Sequence, residues 1–432
     1  MSKKKKVLYH SNHSRLLSGF GKHAKNILKY LCLTGKYDIV ELSNGVSQGH
    51  KDLEKLPWKS VGGLPRDQES IDRINKDPNL GRSASYGSMV IDDVIKKEKP
   101  DIYLGVEDIW GLSGYSKKPW WNKINCMVWT TLDSLPILPE AIKCASSIKH
   151  YYVWSSFAEK ALRQEGHDHV RTLHGCIDVS KFFKLNHEDR DSLRNRFAIS
   201  EDDFVIGFVF RNQLRKSVPN LLDGFKIFKE KNPESKAKLL LHSNWAEGWD
   251  IPRFIKEKGL DSKDILCTYY CDKCKNYHIS PFIGQGINCP YCGAEKSCKT
   301  ISITAGVSED QLNEIYNLMD VYCHPFTSGG QEIPIQEAKL TELVTLVTNY
   351  SCGEDSCSEE SGGLPLEWSE YREPGTQFIK ASTCPLDIAR KLELVHAMGD
   401  DERKEREKKS RQWVIDNFSV EVIGKQLEDI ID

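Results

Sequence analysis

No stretch of this 432-residue chain approaches the roughly 18 consecutive apolar residues that a bilayer-spanning helix needs. Charge of one sign is missing too. Sixty Lys and Arg stand against 62 Asp and Glu, a net −2, so no global basic field marks a polyanion partner, although a local patch can hide inside a neutral sum. The opening "MSKKKKVLYHSN" starts like a secretory leader, but the apolar run behind its lysines, Val7-Leu8-Tyr9, is too short for a leader's core. The lysines read as a solvated tail. Apolar content of 39% with 28% charged residues describes a soluble globular protein, and the length exceeds one ordinary core, so two or three domains are expected. Fourteen cysteines without a leader imply reduced thiols in a cytoplasm, plus a candidate metal site.

What is present is alternation. "KVLYHSN" reads as a strand, followed by a helix in which His23, Ile27, Tyr30 and Leu31 recur at helical spacing until Gly35 stops it, then by the strand "YDIVEL". "DIYLGVED" and "CMVWTT" are further strands, and "SSFAEKALRQEG" a helix with a capping box from Ser156 to Glu159. The second half repeats the style. "FVIGFVF" is a continuous apolar run, typical of a parallel strand covered on both faces, and "SEDQLNEIYNLMD" is a helix with a capping box from Ser308 to Gln311. Alternation throughout predicts α/β architecture with parallel sheets. The expected division is 1–190 and 191–411, with a C-terminal helix of about 412–432 packing back on the first domain. In such sheets ligands sit outside the carboxyl ends of the strands.

Two segments fall at such ends. "RNQLRK" follows "FVIGFVF", which places Arg211 and Lys216 beside a helix start, where cations can grip a diphosphate at about 1.5–3 kcal/mol per charge-assisted bond. The alternative is three surface cations in a loop. In "CHPFTSGGQEIPIQEAKL", Gly329 and Gly330 precede a helix starting near Pro334, whose free N–H groups can cradle an anion. Glu337 lies one turn inside, where a carboxylate can accept both hydroxyls of a ribose; alone, it reads equally as a solvated helix residue.

These segments come in a fixed order: "SGFGKH", then "SSFAEKALRQEG" with "LHGCIDVSKFF", then "FRNQLRK", then "EIYNLMDVYCHPFTSGGQEIPIQEA". Over most of its length the chain thereby resembles the retaining glycosyltransferases of family 4, which have the GT-B fold of two Rossmann-like domains facing a cleft. The resemblance implies that Arg211 and Lys216 bind the diphosphate of a nucleotide-sugar donor, and that Glu337 binds its ribose. It brings Gly19 and Gly21 near the donor phosphates and the acceptor. It also implies retention of anomeric configuration, no catalytic metal, and closure of the cleft to exclude water. The chain departs from the family at three points. The first Glu of the family's E-x7-E motif falls on Gly329. The Gly-Phe-Gly that follows in the family reads Gly330-Gln331-Glu332, so that Glu332 is a candidate to supply the missing carboxylate. No His follows "CMVWTT", which leaves Asp133 as the nearest polar candidate for a catalytic role, with Asp108 a second strand-end carboxylate.

One segment lies outside that pattern. Cys271, Cys274, Cys289 and Cys292 form two C-x2-C pairs in a polar, turn-rich stretch, the spacing of a closed structural zinc ribbon. It is expected as an insertion, 267–298, in the second domain. It is either a rigid brace or an arm for a large acceptor. Lysines and a tyrosine in "KCKNYH" and "KSCKT" lend support to phosphate contact and stacking. The acceptor expected first is a hydroxymethylated base in phage-type DNA, with a host cytoplasm then the location. A glycan, lipid-linked or small-molecule acceptor is the alternative, and a non-catalytic sugar-nucleotide-binding scaffold a third reading.

Overall fold

The computed structural model describes residues 4–302 and 305–432, so Lys3 of the N-terminal run lies outside the described residues. The chain forms two compact units: one runs through Ile177 and is completed by Asn417–Asp432, and the other is Asp178–Asp416. Among the described residues no helix is long and apolar enough to cross a membrane.

The first unit is a seven-stranded sheet of β1 (Lys5–Asn12), β2 (Tyr37–Ser47), β3 (Lys59–Leu64), β4 (Ile102–Val106), β5 (Asn125–Thr130), β6 (His150–Val153) and β7 (Arg171–Thr172). Its order is β3-β2-β1-β4-β5-β6-β7, and every pairing is parallel. That is the doubly wound order, with the chain reversing direction across the sheet between β1 and β4. The helix Gly19–Thr34 buries Ala24, Ile27, Leu28 and Leu31 against this sheet and ends where Gly35 takes a left-handed φ of 68°. The helix Val420–Ile431 adds Ile423, Leu427 and Ile431 to the same core, each worth about 1.5–3 kcal/mol when buried. Gly424 lets it approach closely, since a Cβ there would stand 2.5 Å from the Tyr30 ring.

The second unit repeats the scheme. β8 (Asp203–Val209), β9 (Lys236–His242), β10 (Ile265–Cys271), β11 (Tyr277–Pro281), β12 (Cys298–Thr300), β13 (Val321–His324), β14 (Val344–Thr348) and β15 (Leu364–Leu366) form one sheet. Its order is β11-β10-β9-β8-β13-β14-β15, with β12 also on β10. Here the reversal falls between β8 and β13. All of β8 and β14 is buried, as the apolar runs required. β11 and β12 pair antiparallel with β10 and belong to the cysteine segment.

Two sequence expectations are corrected. The boundary expected at 190/191 falls after Ile177, because the stretch that follows is bonded into the second unit. Phe183 and Leu185 donate their N–H groups to Asn313 and Asn317, and Arg190 and Arg194 reach Asp320. The capping box from Ser156 to Glu159 does not form. Ser155 caps the helix, and Glu159 accepts from the N–H and hydroxyl of Thr172 instead, both at 2.7 Å. The box at Ser308 and Gln311 is present with both bonds.

Candidate functional site

In the second unit the strand reversal brings the segments after β8 and after β13 side by side. Arg211 lies half-exposed, its Nε donating to Glu247 Oε1 at 3.1 Å. Asn212 is buried and fixes the neighbouring loop, donating to Trp249 O at 2.9 Å and accepting from Trp249 N–H at 3.1 Å. Gly248 permits this approach. It has φ +66°, and a Cβ there would sit 1.8 Å from Asn212 O.

Lys216 is buried, its backbone held by the bridge to Phe326. Its ammonium pairs with Glu332, as does the Arg215 guanidinium. His324 Nε2 stands 3.2 Å from the same Glu332 carboxylate and 3.4 Å from Lys216 Nζ, and its Nδ1 lies 2.8 Å from the Tyr322 hydroxyl. Burial, reinforced by Arg215, brings Lys216 down to about 8. Burial opposes ionisation of Glu332, but Arg215, Lys216 and His324 hold it well below the usual carboxylate range. Burial and the Lys216 charge push His324 down to about 4, so it is neutral where the ion pair is charged. The result is a cluster at the strand ends in which buried Lys216 and Glu332 meet the partly exposed Arg215.

Glu332 fills the space that Gly329 leaves: a Cβ at Gly329 would meet Glu332 Oε1 at 2.5 Å. The absent side chain at 329 and the carboxylate three residues later are therefore one feature. Gly330 is half-buried beside them. The helix Ile333–Leu340 starts here with Pro334 in its first turn and no side-chain cap. Glu337, on the next turn, is buried and accepts from the Tyr316 hydroxyl at 2.7 Å. The structure thus groups Lys216, Gly329 and Glu332 tightly, while half-exposed Arg211 pairs with Glu247 on the neighbouring loop. Sequence reasoning missed His324 and Tyr322; the signal was a histidine on the last residue of the strand in "VYCHPF".

In the first unit Gly19 opens the helix after β1. Ser18 caps it by accepting from Gly21 N–H at 3.1 Å, and a Cβ at Gly21 would lie 2.3 Å from Leu16 O. Asp108, after β4, accepts from Thr131 Oγ1 at 2.6 Å, and Asp133 from Ser134 Oγ at 2.8 Å. Across β4, β1 and β2, away from Asp133, runs a chain that the sequence did not reveal. Tyr103 OH is 2.9 Å from His10 Nδ1, His10 Nε2 is 2.7 Å from Asn44 Oδ1, and Asn44 Nδ2 donates to Glu107 Oε2 at 3.1 Å. Burial, then the Asp108 charge, pushes Glu107 up to about 7, whereas burial pushes His10 down to about 4. Between its usual value and about 7, native Glu107 holds a proton that the unfolded chain has lost. Its contribution therefore erodes as pH rises through that window. Glu107→Gln should remove this slope, gaining about 2–3 kcal/mol on wild type between pH 5 and pH 8 in urea titrations. Parallel curves for the two proteins would refute the buried protonated carboxyl.

The cysteine segment is built as two matching knuckles. Cys271 O accepts from Lys275 N–H at 3.1 Å and Cys289 O from Gly293 N–H at 3.0 Å. The left-handed residue after each pair is Lys275 (φ 62°) in one and Gly293 (φ 70°) in the other. The Sγ atoms of Cys271 and Cys292 are 3.8 Å apart and those of Cys274 and Cys289 3.6 Å apart, with all four within 4.8 Å of one another. A tetrahedral zinc with four thiolates at about 2.3 Å requires edges of about 3.8 Å, so these residues fit that ion and leave it no open position. Burial opposes ionisation of Cys271, yet the Ser297 hydroxyl and the knuckle N–H groups bring its thiol down to about 6.

The architecture is that of the GT-B class, two α/β units each built on a parallel sheet. Across 99% of the chain the fold is similar to a glycosyltransferase from Rickettsia africae (98% of that chain, 16% identity, TM-score 0.64). It is also similar to HepE from Anabaena, solved in complex with UDP and glucose (99% of each chain, 12% identity, TM-score 0.66). A third likeness is sucrose-phosphate synthase from Thermosynechococcus elongatus (99% of this chain, 98% of that one, 12% identity, TM-score 0.66). No protein-family model matches the chain, and no curated protein matches it in sequence.

Proposed function

We propose that this chain is a glycosyltransferase that moves a sugar from a nucleotide-sugar donor to an acceptor hydroxyl. The observation that carries the reading is the cationic cluster at the strand reversal of the second unit, where a parallel α/β sheet binds ligands. Half-exposed Arg211 and buried Lys216 offer the charge that a departing diphosphate needs. In this reading Glu332, in the space left by Gly329, accepts hydroxyls of the donor sugar, and Glu337 those of the ribose. The UDP complex of the similar HepE fold supports a uridine nucleotide as the first donor to try. In the transfer, the bond from the anomeric carbon to the diphosphate breaks and one to the acceptor oxygen forms. The hydroxyl's proton leaves with the diphosphate. Retention of configuration, as in family 4, is the expected stereochemistry, with Asp133 the candidate polar group on the first unit.

The four cysteines hold a structural zinc in this reading, and the ion supplies a fixed tetrahedral cross-link and no step of the reaction. A cytoplasmic location fits the fourteen free thiols. The first acceptor to test is hydroxymethylated DNA, because Lys273, Lys275, Lys299 and Tyr291 are exposed on the cysteine segment. A small or glycan acceptor is the alternative. Labelled UDP-, GDP- and ADP-sugars incubated with hydroxymethylated DNA, plain DNA and small sugars should show transfer to one acceptor class. Binding of donors with neither transfer nor hydrolysis would sink the enzyme reading in favour of a scaffold.

A further inference from the structure

The cysteine segment is not a free appendage. β10 begins as a strand of the main sheet, with Ile265–Cys267 parallel to Leu239–Leu241 of β9, and ends on the first thiol ligand, Cys271. β9 itself runs into residues 243–250, the stretch that fixes Asn212 and carries the partner of Arg211. One foot of this loop stands on the cysteine segment. The Trp245 ring stacks on Phe282 with centroids 4.7 Å apart and planes 24° from parallel, and Phe282 lies parallel to Tyr269 at 6.3 Å. Trp245 N–H donates to Thr300 Oγ1 at 3.1 Å, and Gln285 Nε2 donates to the same oxygen at 2.7 Å. The other foot stands on the Arg211 guanidinium and on the backbone that carries Lys216. Glu247 takes Arg211, Trp249 N–H takes Asn212, and Trp249 Nε1 donates to the carbonyl of Lys216 at 2.7 Å. Only three residues, Ala246, Glu247 and Gly248, lie between Trp245 and Trp249, so a displacement of one foot passes to the other through a short span of chain.

We propose that the four-cysteine segment sets the position of the diphosphate-binding cations through residues 243–250, with Trp245 and Phe282 as positioning residues for Arg211 and Lys216. The inference rests on the donor reading above and adds to it a job for the segment that needs no contact with an acceptor. Removing the Phe282 ring frees Trp245, and the loop then samples conformations in which Glu247 no longer holds the Arg211 guanidinium and Trp249 no longer holds the Lys216 carbonyl. Preorganisation is lost, while the charges themselves remain.

The test uses full-length, zinc-loaded protein with UDP, GDP and ADP as calorimetric probes. Amide exchange of residues 246–249 is followed in parallel. Phe282→Ala should weaken binding of the preferred nucleotide about tenfold and speed exchange in the loop, with zinc content unchanged. Trp245→Ala should do the same, and the double variant should lose little more than either alone, since both remove one interaction. Trp245→Phe, which keeps an aromatic face, should return affinity to within about threefold of wild type. Arg211→Ala is the control for the donor site. If it weakens binding while Phe282→Ala changes neither affinity nor exchange, the coupling is wrong and the donor site stands. If Arg211→Ala also leaves affinity unchanged, the donor assignment falls and takes the coupling with it.

Discussion

Replacing Lys216 by alanine should abolish nucleotide binding and also destabilise the protein by about 3–5 kcal/mol. Two effects combine. The diphosphate loses an ammonium that burial has already stripped of water. The native state keeps the Glu332 carboxylate, 4% exposed, with one of its two cations gone. Arg215 and neutral His324 remain beside it but do not replace a buried charge. The double change Lys216→Met with Glu332→Leu should recover most of the stability in urea titrations while calorimetry with UDP still shows no binding. Recovery of both, or loss of neither, would show that the pair is no part of the donor site. The half-exposed cation behaves differently: Arg211→Ala should weaken binding at little cost to stability, because its bond to Glu247 is half in solvent. Since Lys216 gives up its proton near pH 8, donor affinity in the wild type should also fall as pH rises through that value.

Removing the metal should have the largest structural effect. The stretch from Cys271 to Cys298 holds β11 and few buried apolar side chains, chiefly Tyr277 and Ile279. Such a segment cannot offset its own chain entropy, and zinc in comparable peptides supplies about 10–16 kcal/mol. Elemental analysis should find one zinc per chain, and chelation or Cys289→Ser should unfold the segment, seen as lost amide protection at β11 and β12. The main sheet, whose β8 and β14 are wholly buried, should survive. A metal-free protein with intact protection at β11 would overturn the four-thiolate site.

What the sequence made legible was local. Apolar runs marked β8 and β14. The spacing of Cys271, Cys274, Cys289 and Cys292 marked four thiols that do converge within 4.8 Å. Gly329, Gly330 and Pro334 marked a helix start, and the cations of "RNQLRK" marked a strand end. What escaped was set by distant partners. Glu332 meets Lys216 across 116 residues of chain, and only coordinates show that its carboxylate fills the volume Gly329 vacates. The chain from His10 to Asn44 to Glu107 links β1, β2 and the residue after β4, and none of its members stands in a recognisable motif. Ser156 and Glu159 had the right spacing for a capping box. Thr172, 13 residues beyond Glu159, won the carboxylate because the strand that carries it runs past the helix start.

The return of the C-terminal helix to the first unit has a consequence for the order of events during synthesis. The second unit is one unbroken length of chain, Asp178–Asp416. The first is written in two pieces, and the second piece carries Ile423, Leu427 and Ile431 of its core. A ribosome moving from the N-terminus therefore finishes the later unit first. The unit that is begun earliest has to wait, with the Tyr30 side of its first helix uncovered, until Val420–Ile431 emerges.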